Sequence, residues 1–516
     1  MSLTSVDFLI FAAASLVLYY LFPIRYRFVP LLAADLFFIV RADSLPAVSV
    51  MLFMIVLSWG AALYLNGHEE RTGADRVVTF GSVICLTGIL FALKENRFFV
   101  WLLNLLPDRL TGGAPLTAPV LSGVTPLGIS YFALVLISYV LEVYWKTERA
   151  EKNPLRFAAF AGFFPLLTSG PIVKYNDSYR EITEGHAISY RNITAGAQRV
   201  LWGFFKKLVI SERLAVIVNT VYAEPDVYRG TYAVLAVFLF TLQLYTDFSG
   251  CIDICLGVSR MMGITLPENF SLPFMSLTLE EFWRRWHITL GAWLRQYILY
   301  PVLKTDLWRR FGKFSRDRLG KRTGADFAKK LPMYCALMIS WFMVGFWHGG
   351  EWKYIFGVGL LQGGIIVAGQ ILSPVFVRCA GLLRINRDCD SYRLFCRIRT
   401  FAFFSLGLSM FRAQDLHSGF VLWKSFFTYN PWVLFDGSLY ELGLSVTEIH
   451  ILILALAILA AAGLLCAHRE MSLTDWLSGQ NPPLRWILII GLLFFVIVYG
   501  CYGPGFDMQS FIYANF

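Results

Sequence analysis

The sequence predicts an all-α polytopic membrane protein, and three observations carry that reading. Of 516 residues, 57% are hydrophobic and only 16% charged, against about 25% charged in soluble globular chains. Mean hydropathy is +0.58. Ten stretches of at least 17 residues contain no Asp, Glu, Lys or Arg: 8–24, 47–67, 77–93, 111–141, 157–173, 230–246, 331–350, 354–377, 451–467 and 486–506. A bilayer core about 30 Å thick takes about 20 mostly apolar residues per helix, so these runs exclude a string of soluble domains.

Eleven helices are predicted. Nine occupy uncharged runs, near 6–22, 46–66, 77–93, 119–143, 230–247, 332–347, 354–373, 449–467 and 484–502; shorter pieces near 28–40 and 398–411 complete the set. Run 157–173 differs, because Gly162, Pro165, Gly170 and Pro171 interrupt it. Broken backbone at membrane depth survives only inside protein or beside water, so this run reads as interfacial or re-entrant. The chain divides into N-terminal membrane helices (1–230), a central core (231–415) and C-terminal helices with a tail (416–516). No internal repeat is visible, which weakens an inverted-repeat transporter reading.

The net charge of +10 resides in two loops. Residues 304–330 hold ten Lys/Arg against three Asp, and 378–399 hold six Arg against two Asp. Such loops stay cytoplasmic, so the surplus is a topology signal rather than a sign of nucleic acid; gripping anionic headgroups is an equally good use for it. Arg25 and Arg27 follow the first apolar run, which places the N-terminus outside. The nine Cys are scattered, with no C-x-x-C, and read as small buried hydrophobes rather than metal ligands or disulfides.

Three constellations interrupt the apolar pattern. The first is Gln243-Leu-Tyr245-Thr-Asp247-Phe-Ser249-Gly250, with Asp253 beyond. A carboxylate at mid-helix costs roughly 2.5–3.5 kcal/mol on insertion scales and faces a bundle interior. At a helix end it is cheap, so cavity lining and a plain boundary both stay open for Asp247. Asp247 and Asp253 sit about 240° apart around a helix and cannot share one face.

The second runs from Pro267-Glu268-Asn269-Phe270 to Thr278-Leu-Glu280-Glu281-Phe282-Trp283-Arg284-Arg285-Trp286-His287. Thr278-x-x-Glu281 is a capping-box pattern that starts a helix. Glu280/Arg284 and Glu281/Arg285 are i,i+4 pairs in the favourable order, which also suits a plain amphipathic surface helix. The third is Gly345-Phe346-Trp347-His348-Gly349-Gly350-Glu351-Trp352, joining two apolar runs. The glycine pair supplies a tight turn, and a neutral imidazole can take and return a proton near neutral pH. A histidine merely capping a turn between aromatics would read the same way.

Taken together, the order P-E-N-F…E-E-F-W-R-R-W-H, then G-F-W-H-G-G-E-W, resembles the membrane-bound O-acyltransferases. The upstream Q-L-Y-T-D-F-S-G, Met410-Phe411-Arg412-Ala413-Gln-Asp415 and the C-terminal Phe511-Ile-Tyr513-Ala-Asn-Phe516 agree. The likeness is dense over about 240–415 and at the last six residues, and falls in the bacterial branch that acylates alginate, peptidoglycan and teichoic acid. It implies a core of about eleven membrane helices, with re-entrant or interfacial helices, around a central tunnel.

On that resemblance His348 is the catalytic histidine at the narrow point and His287 the second histidine, orienting substrate. Asp247, Asn269, Arg284, Trp286, Trp347 and Trp352 would line the path, and Tyr513 would carry the acyl group transiently. Phe511, Tyr513 and Phe516 also suit a plain aromatic anchor. The resemblance implies no bound cofactor or metal. The donor would be a cytoplasmic acyl thioester, acetyl-CoA or acyl carrier protein. It also implies an SGNH-like extracytoplasmic partner and a bacterial inner-membrane location. Two departures stand out: Gln296 replaces a common Asp, and Pro301-Val302-Leu303-Lys304 replaces Pro-Leu-Gly-Gly. D-alanyl transfer to teichoic acid stays open within the class. A transporter or flippase using Asp247, Asp253, Glu280 and Arg284, or an inactive scaffold, stays open outside it.

Overall fold

A computed structural model describes residues 1–94, 96–105 and 124–502. Tyr513 and the start of the helix expected at 119–143 lie outside the described residues. Among the described residues the regular structure is helical, with no β-strand. Each expected helix is present: Val6–Leu21, Phe28–Ala42, Leu45–Asn66, Gly73–Lys94, Ile129–Tyr144, Thr231–Met261, Ala325–Trp347, Trp352–Leu382, Asp390–Arg412, Val446–Arg469 and Pro482–Tyr499. Eight are long and apolar enough to cross a membrane, while Val6–Leu21 and Ile129–Tyr144 are apolar but shorter. The protein is a multi-pass membrane protein.

Contacts divide the chain into two compact units. The first comprises Met1–Glu212, Leu244–Glu268 and Leu454–Phe516. Within it the proline- and glycine-broken run forms two short helices, Pro154–Ala161 and Phe164–Leu167; Phe157, Phe160 and all four residues of the second are buried, while Leu155 at the start of the first is exposed. The break between them is held from outside: the Phe164 amide donates to Asp35 Oδ1 at 2.8 Å.

The Tyr190–Phe204 helix packs against the later part of Thr231–Met261 through small residues. A Cβ on Gly203 would stand 2.6 Å from the Gly250 carbonyl oxygen, and one on Gly196 2.5 Å from that of Gly257. Small residues let helix backbones approach closely in a membrane, where no hydrophobic force draws them together. Just past this seam the chain loosens into a π-turned stretch, Phe205–Ser211, whose Lys206 and Lys207 are both buried. Lys206 Nζ meets Asp253 at 2.7 Å and Lys207 Nζ meets Asp247 at 2.6 Å. These pairs explain why Thr231–Met261 extends for 31 residues instead of stopping near 247: its carboxylates are neutralised.

The second unit comprises Arg213–Gln243 and Asn269–Ile453. Its centre is the antiparallel pair Ala325–Trp347 and Trp352–Leu382, joined by the 348–351 turn. The Asp390–Arg412 helix starts eight residues before the expected 398 and carries Arg397 and Arg399. They donate to the carbonyls of Met275 and Leu277, at 3.4 and 2.8 Å. Those carbonyls immediately precede Thr278, whose hydroxyl accepts the Glu281 amide at 3.1 Å and starts the Leu279–Arg285 helix as the capping pattern requires.

Candidate active site

His348 caps the C-terminus of Ala325–Trp347. Gly349 and Gly350 follow at φ +138° and +65°, backbone shapes that glycine alone adopts without a Cβ penalty. A Cβ on Gly349 would also lie 2.7 Å from the Tyr354 ring. The turn thus closes tightly and leaves His348 only 3% exposed.

His287 reaches the same place from another element. It precedes the Ile288–Leu294 helix at φ +46°, ψ +50°, a left-handed conformation that costs a non-glycine residue of order 1–3 kcal/mol and persists only when its surroundings enforce it. Here the Ile288 amide donates to the Asn269 carbonyl at 3.1 Å, and the Ser271 amide to the Arg285 carbonyl at 3.0 Å. The imidazole centroid stands 6.5 Å from that of His348 and 5.8 Å from Trp347. Trp347 and Phe411 wall the His348 ring at 4.9 and 5.6 Å.

Asn269 fixes the chemistry of His287. Its Oδ1 accepts the Thr289 amide at 3.2 Å and the Thr289 hydroxyl at 3.0 Å. A backbone N–H can only donate, so this atom is the amide oxygen. His287 Nδ1, 3.2 Å from the same oxygen, must therefore carry its proton, and Nε2 holds the lone pair. Burial pushes the His287 imidazole down to about 3, because a charged ring in this enclosed setting would lose its hydration. The ring is neutral at physiological pH.

The structure thus brings together His287, His348, Trp347 and Asn269. Trp286, fully buried, packs at 5.0 Å from Phe270, 5.7 Å from Phe282 and 4.9 Å from Phe404, bracing the turn before His287. Arg284 is exposed and pairs with Glu280 at 3.5 Å, and Trp352 is 41% exposed. Asp247 belongs to the first unit and is buried at mid-helix, so it does not mark a helix boundary. Sequence reasoning missed three groups: Thr289, which sets the Asn269 amide; Phe411 as a wall; and Lys207, the counterion of Asp247. Two adjacent lysines inside the otherwise apolar run 204–210 were the readable signal for the last. Among the described residues no group of three His, Cys, Asp or Glu could hold a metal ion.

A multi-pass helical protein with two adjacent, aromatic-walled imidazoles, one neutral with a fixed tautomer, has the equipment of a membrane transferase that moves protons away from bulk water. The membrane-bound O-acyltransferase family profile matches residues 120–314, a span that includes Asp247, Asn269 and His287. A probable alginate O-acetylase, AlgI, of Azotobacter vinelandii is 31% identical over 467 residues, 89% of this chain and 84% of that protein. A peptidoglycan O-acetyltransferase of Helicobacter pylori is 28% identical over 397 residues, 72% of this chain and 68% of its own. A teichoic acid D-alanyltransferase of Bacillus subtilis is 26% identical over 296 residues, 54% of this chain and 70% of its own. The chain belongs to the membrane-bound O-acyltransferase family and is an acyltransferase. The transporter and scaffold readings are set aside.

Proposed function

We propose that this acyltransferase takes an acyl group, acetyl first among candidates, from a cytoplasmic thioester and passes it across a bacterial inner membrane for O-acylation of an extracytoplasmic polysaccharide or cell-wall polymer. The observation that carries the reading is the pair of buried imidazoles 6.5 Å apart. A hydroxyl oxygen donating to a nitrogen of His348 and lying against the edge of the His287 ring would sit about 4 Å from each centroid. Two such legs across this gap meet at a roughly tetrahedral angle, so the spacing admits one hydroxyl between the rings.

In this scheme His348 removes the hydroxyl proton while the oxygen attacks the thioester carbonyl. The C–S bond then breaks, the thiolate recovers the proton from the His348 imidazolium, and the new C–O bond remains as ester. The attacking hydroxyl has one proton and gives it to His348, so His287 Nε2, an acceptor, orients the substrates by taking a different N–H or O–H from them. Trp347 and Phe411 exclude water that would hydrolyse the donor, and Arg284, Trp286 and Trp352 take supporting places along the path, while Asp247 holds its ion pair in the first unit. Tyr513 is the acceptor within the chain: a phenol ester is activated relative to an alkyl ester, so onward transfer to an SGNH-like partner is downhill.

Acetyl-CoA or an acyl carrier protein would serve as donor, with the basic stretches 304–330 and 378–399 on its cytoplasmic side. Acetyl is favoured over D-alanyl because the O-acetylase relatives align with far more of the chain than the D-alanyl ones, 89% against 54%. Proteoliposomes loaded with labelled acetyl-CoA test the whole. The expected result is thiol release and label recovered on Tyr513, both abolished by His348→Ala. An intact thioester in the wild type, or turnover indifferent to His348→Ala, refutes it.

A further inference from the structure

Within the first unit, away from the imidazole pair's own residues, lies a groove whose lining includes Arg191, Arg260 and Arg485. Among the described residues, none of these guanidiniums has an ion pair or a side-chain hydrogen bond. The groove's carboxylate, Asp475, is engaged elsewhere: it accepts the Ser472 hydroxyl at 2.6 Å and serves its own helix start. Three cations against one committed anion leave the groove with a positive balance and several unused N–H forks. Forks of this kind match the oxygens of a phosphate bidentately. Thr194 and Ser478 also line the groove, but their hydroxyls donate to the backbone carbonyls of Tyr190 at 2.9 Å and Asp475 at 2.8 Å, so the guanidiniums are the donors left for a phosphate. Arg191 lies in the first turn of the 15-residue Tyr190–Phe204 helix, whose N-terminal dipole also favours an anion.

Position decides what kind of phosphate. Arg260 is the penultimate residue of the Thr231–Met261 span and Arg485 the fourth of the Pro482–Tyr499 span, so the groove lies at the membrane–water boundary. Pro482–Tyr499 has only 6% of its apolar window buried, and Val446–Arg469 only 11%; their flanks face lipid. Trp486, 51% exposed, and Tyr190, 75% exposed, stand beside the groove, as amphipathic rings do at headgroup level. We propose that this groove is a binding site for the phosphate headgroup of an anionic phospholipid, entered sideways from the bilayer and independent of the acyl chemistry.

The test uses the full-length protein in nanodiscs, with lipid retention read by native mass spectrometry. Wild type is expected to retain phosphatidylglycerol over phosphatidylcholine by about thirtyfold, the scale of a net two charges at a headgroup surface. Arg191→Gln/Arg260→Gln/Arg485→Gln should abolish that preference. The triple Arg→Lys variant should keep part of it, showing that charge rather than misfolding is read. Equal phosphatidylglycerol retention by wild type and the Gln variant overturns the proposal. So does coenzyme A raising the melting temperature of wild type, but not of the Gln variant, in phosphatidylcholine alone, because the phosphate then belongs to a soluble ligand.

Discussion

In the first unit, one cluster of buried charge is matched ion for ion. Lys206 faces Asp253, Lys207 faces Asp247 and Glu212, and Arg199 bridges Asp253 and Glu268. In the second unit, the deepest polar side chains of the candidate site include no carboxylate, ammonium or guanidinium: they are an amide, a hydroxyl and two imidazoles among tryptophan and phenylalanine rings. Taking a charge out of water costs several kcal/mol, and a close counterion repays it only when both partners are locked in place. A locked pair cannot easily give up a proton. An imidazole with no counterion beside it has no such partner to break from, and a fixed tautomer presents its lone pair in a set direction. The difference separates a lattice that holds helices together from a pair of bases that can work.

That separation can be broken experimentally. His348→Ala should lower acyl transfer by about 10²–10⁴, while expression and melting temperature in detergent stay at wild-type values. The opposite pattern belongs to the ion lattice. Lys207→Met strands Asp247 and should destabilise the protein by about 3–5 kcal/mol, whereas Lys207→Met/Asp247→Leu should recover most of that loss. If the single variant melts like wild type, the lattice is not what holds the first unit.

Acid sharpens the contrast. Burial holds the folded His287 imidazole down at about 3, below the unfolded value of about 6.5. Between those pH values the unfolded chain binds the extra proton, so stability falls as pH is lowered through the window. From pH 6.5 to 5 the loss should reach about 2 kcal/mol. His287→Asn, which tolerates the left-handed backbone, should remove this slope; a persistent slope would trace acid sensitivity to other groups. The smallest effect belongs to Thr289→Val. It deletes one of the bonds to Asn269 Oδ1 but spares the amide donor, so about 1 kcal/mol of stability is expected to go. A near-complete loss of turnover would show instead that the hydroxyl itself takes part.

Much of this architecture was legible along the chain. Charge-free runs marked the helices because the bilayer punishes unsatisfied backbone and charge alike, and the glycine pair after His348 announced its turn. Thr278 and Glu281 announced the helix that leads to His287. What stayed hidden depends on partners distant in sequence. The length of Thr231–Met261 could not be read locally, since Asp247 becomes affordable only when Lys207 arrives from another helix. Asn269 stood 18 positions from His287, and no local periodicity says that one sets the proton of the other.

The loosened turn at Phe205–Ser211, where the Glu212 amide reaches back five residues to the Lys207 carbonyl, acts as a phase shifter. An ordinary helix advances about 100° per residue, so one wider turn rotates everything downstream relative to everything upstream. Point substitutions leave that angular offset untouched. Removing a single residue from the stretch would cancel it, swinging Arg213 and the rest of the Glu212–Ala223 helix out of alignment with the lysines before them. Length, more than composition, is what natural variation should preserve there.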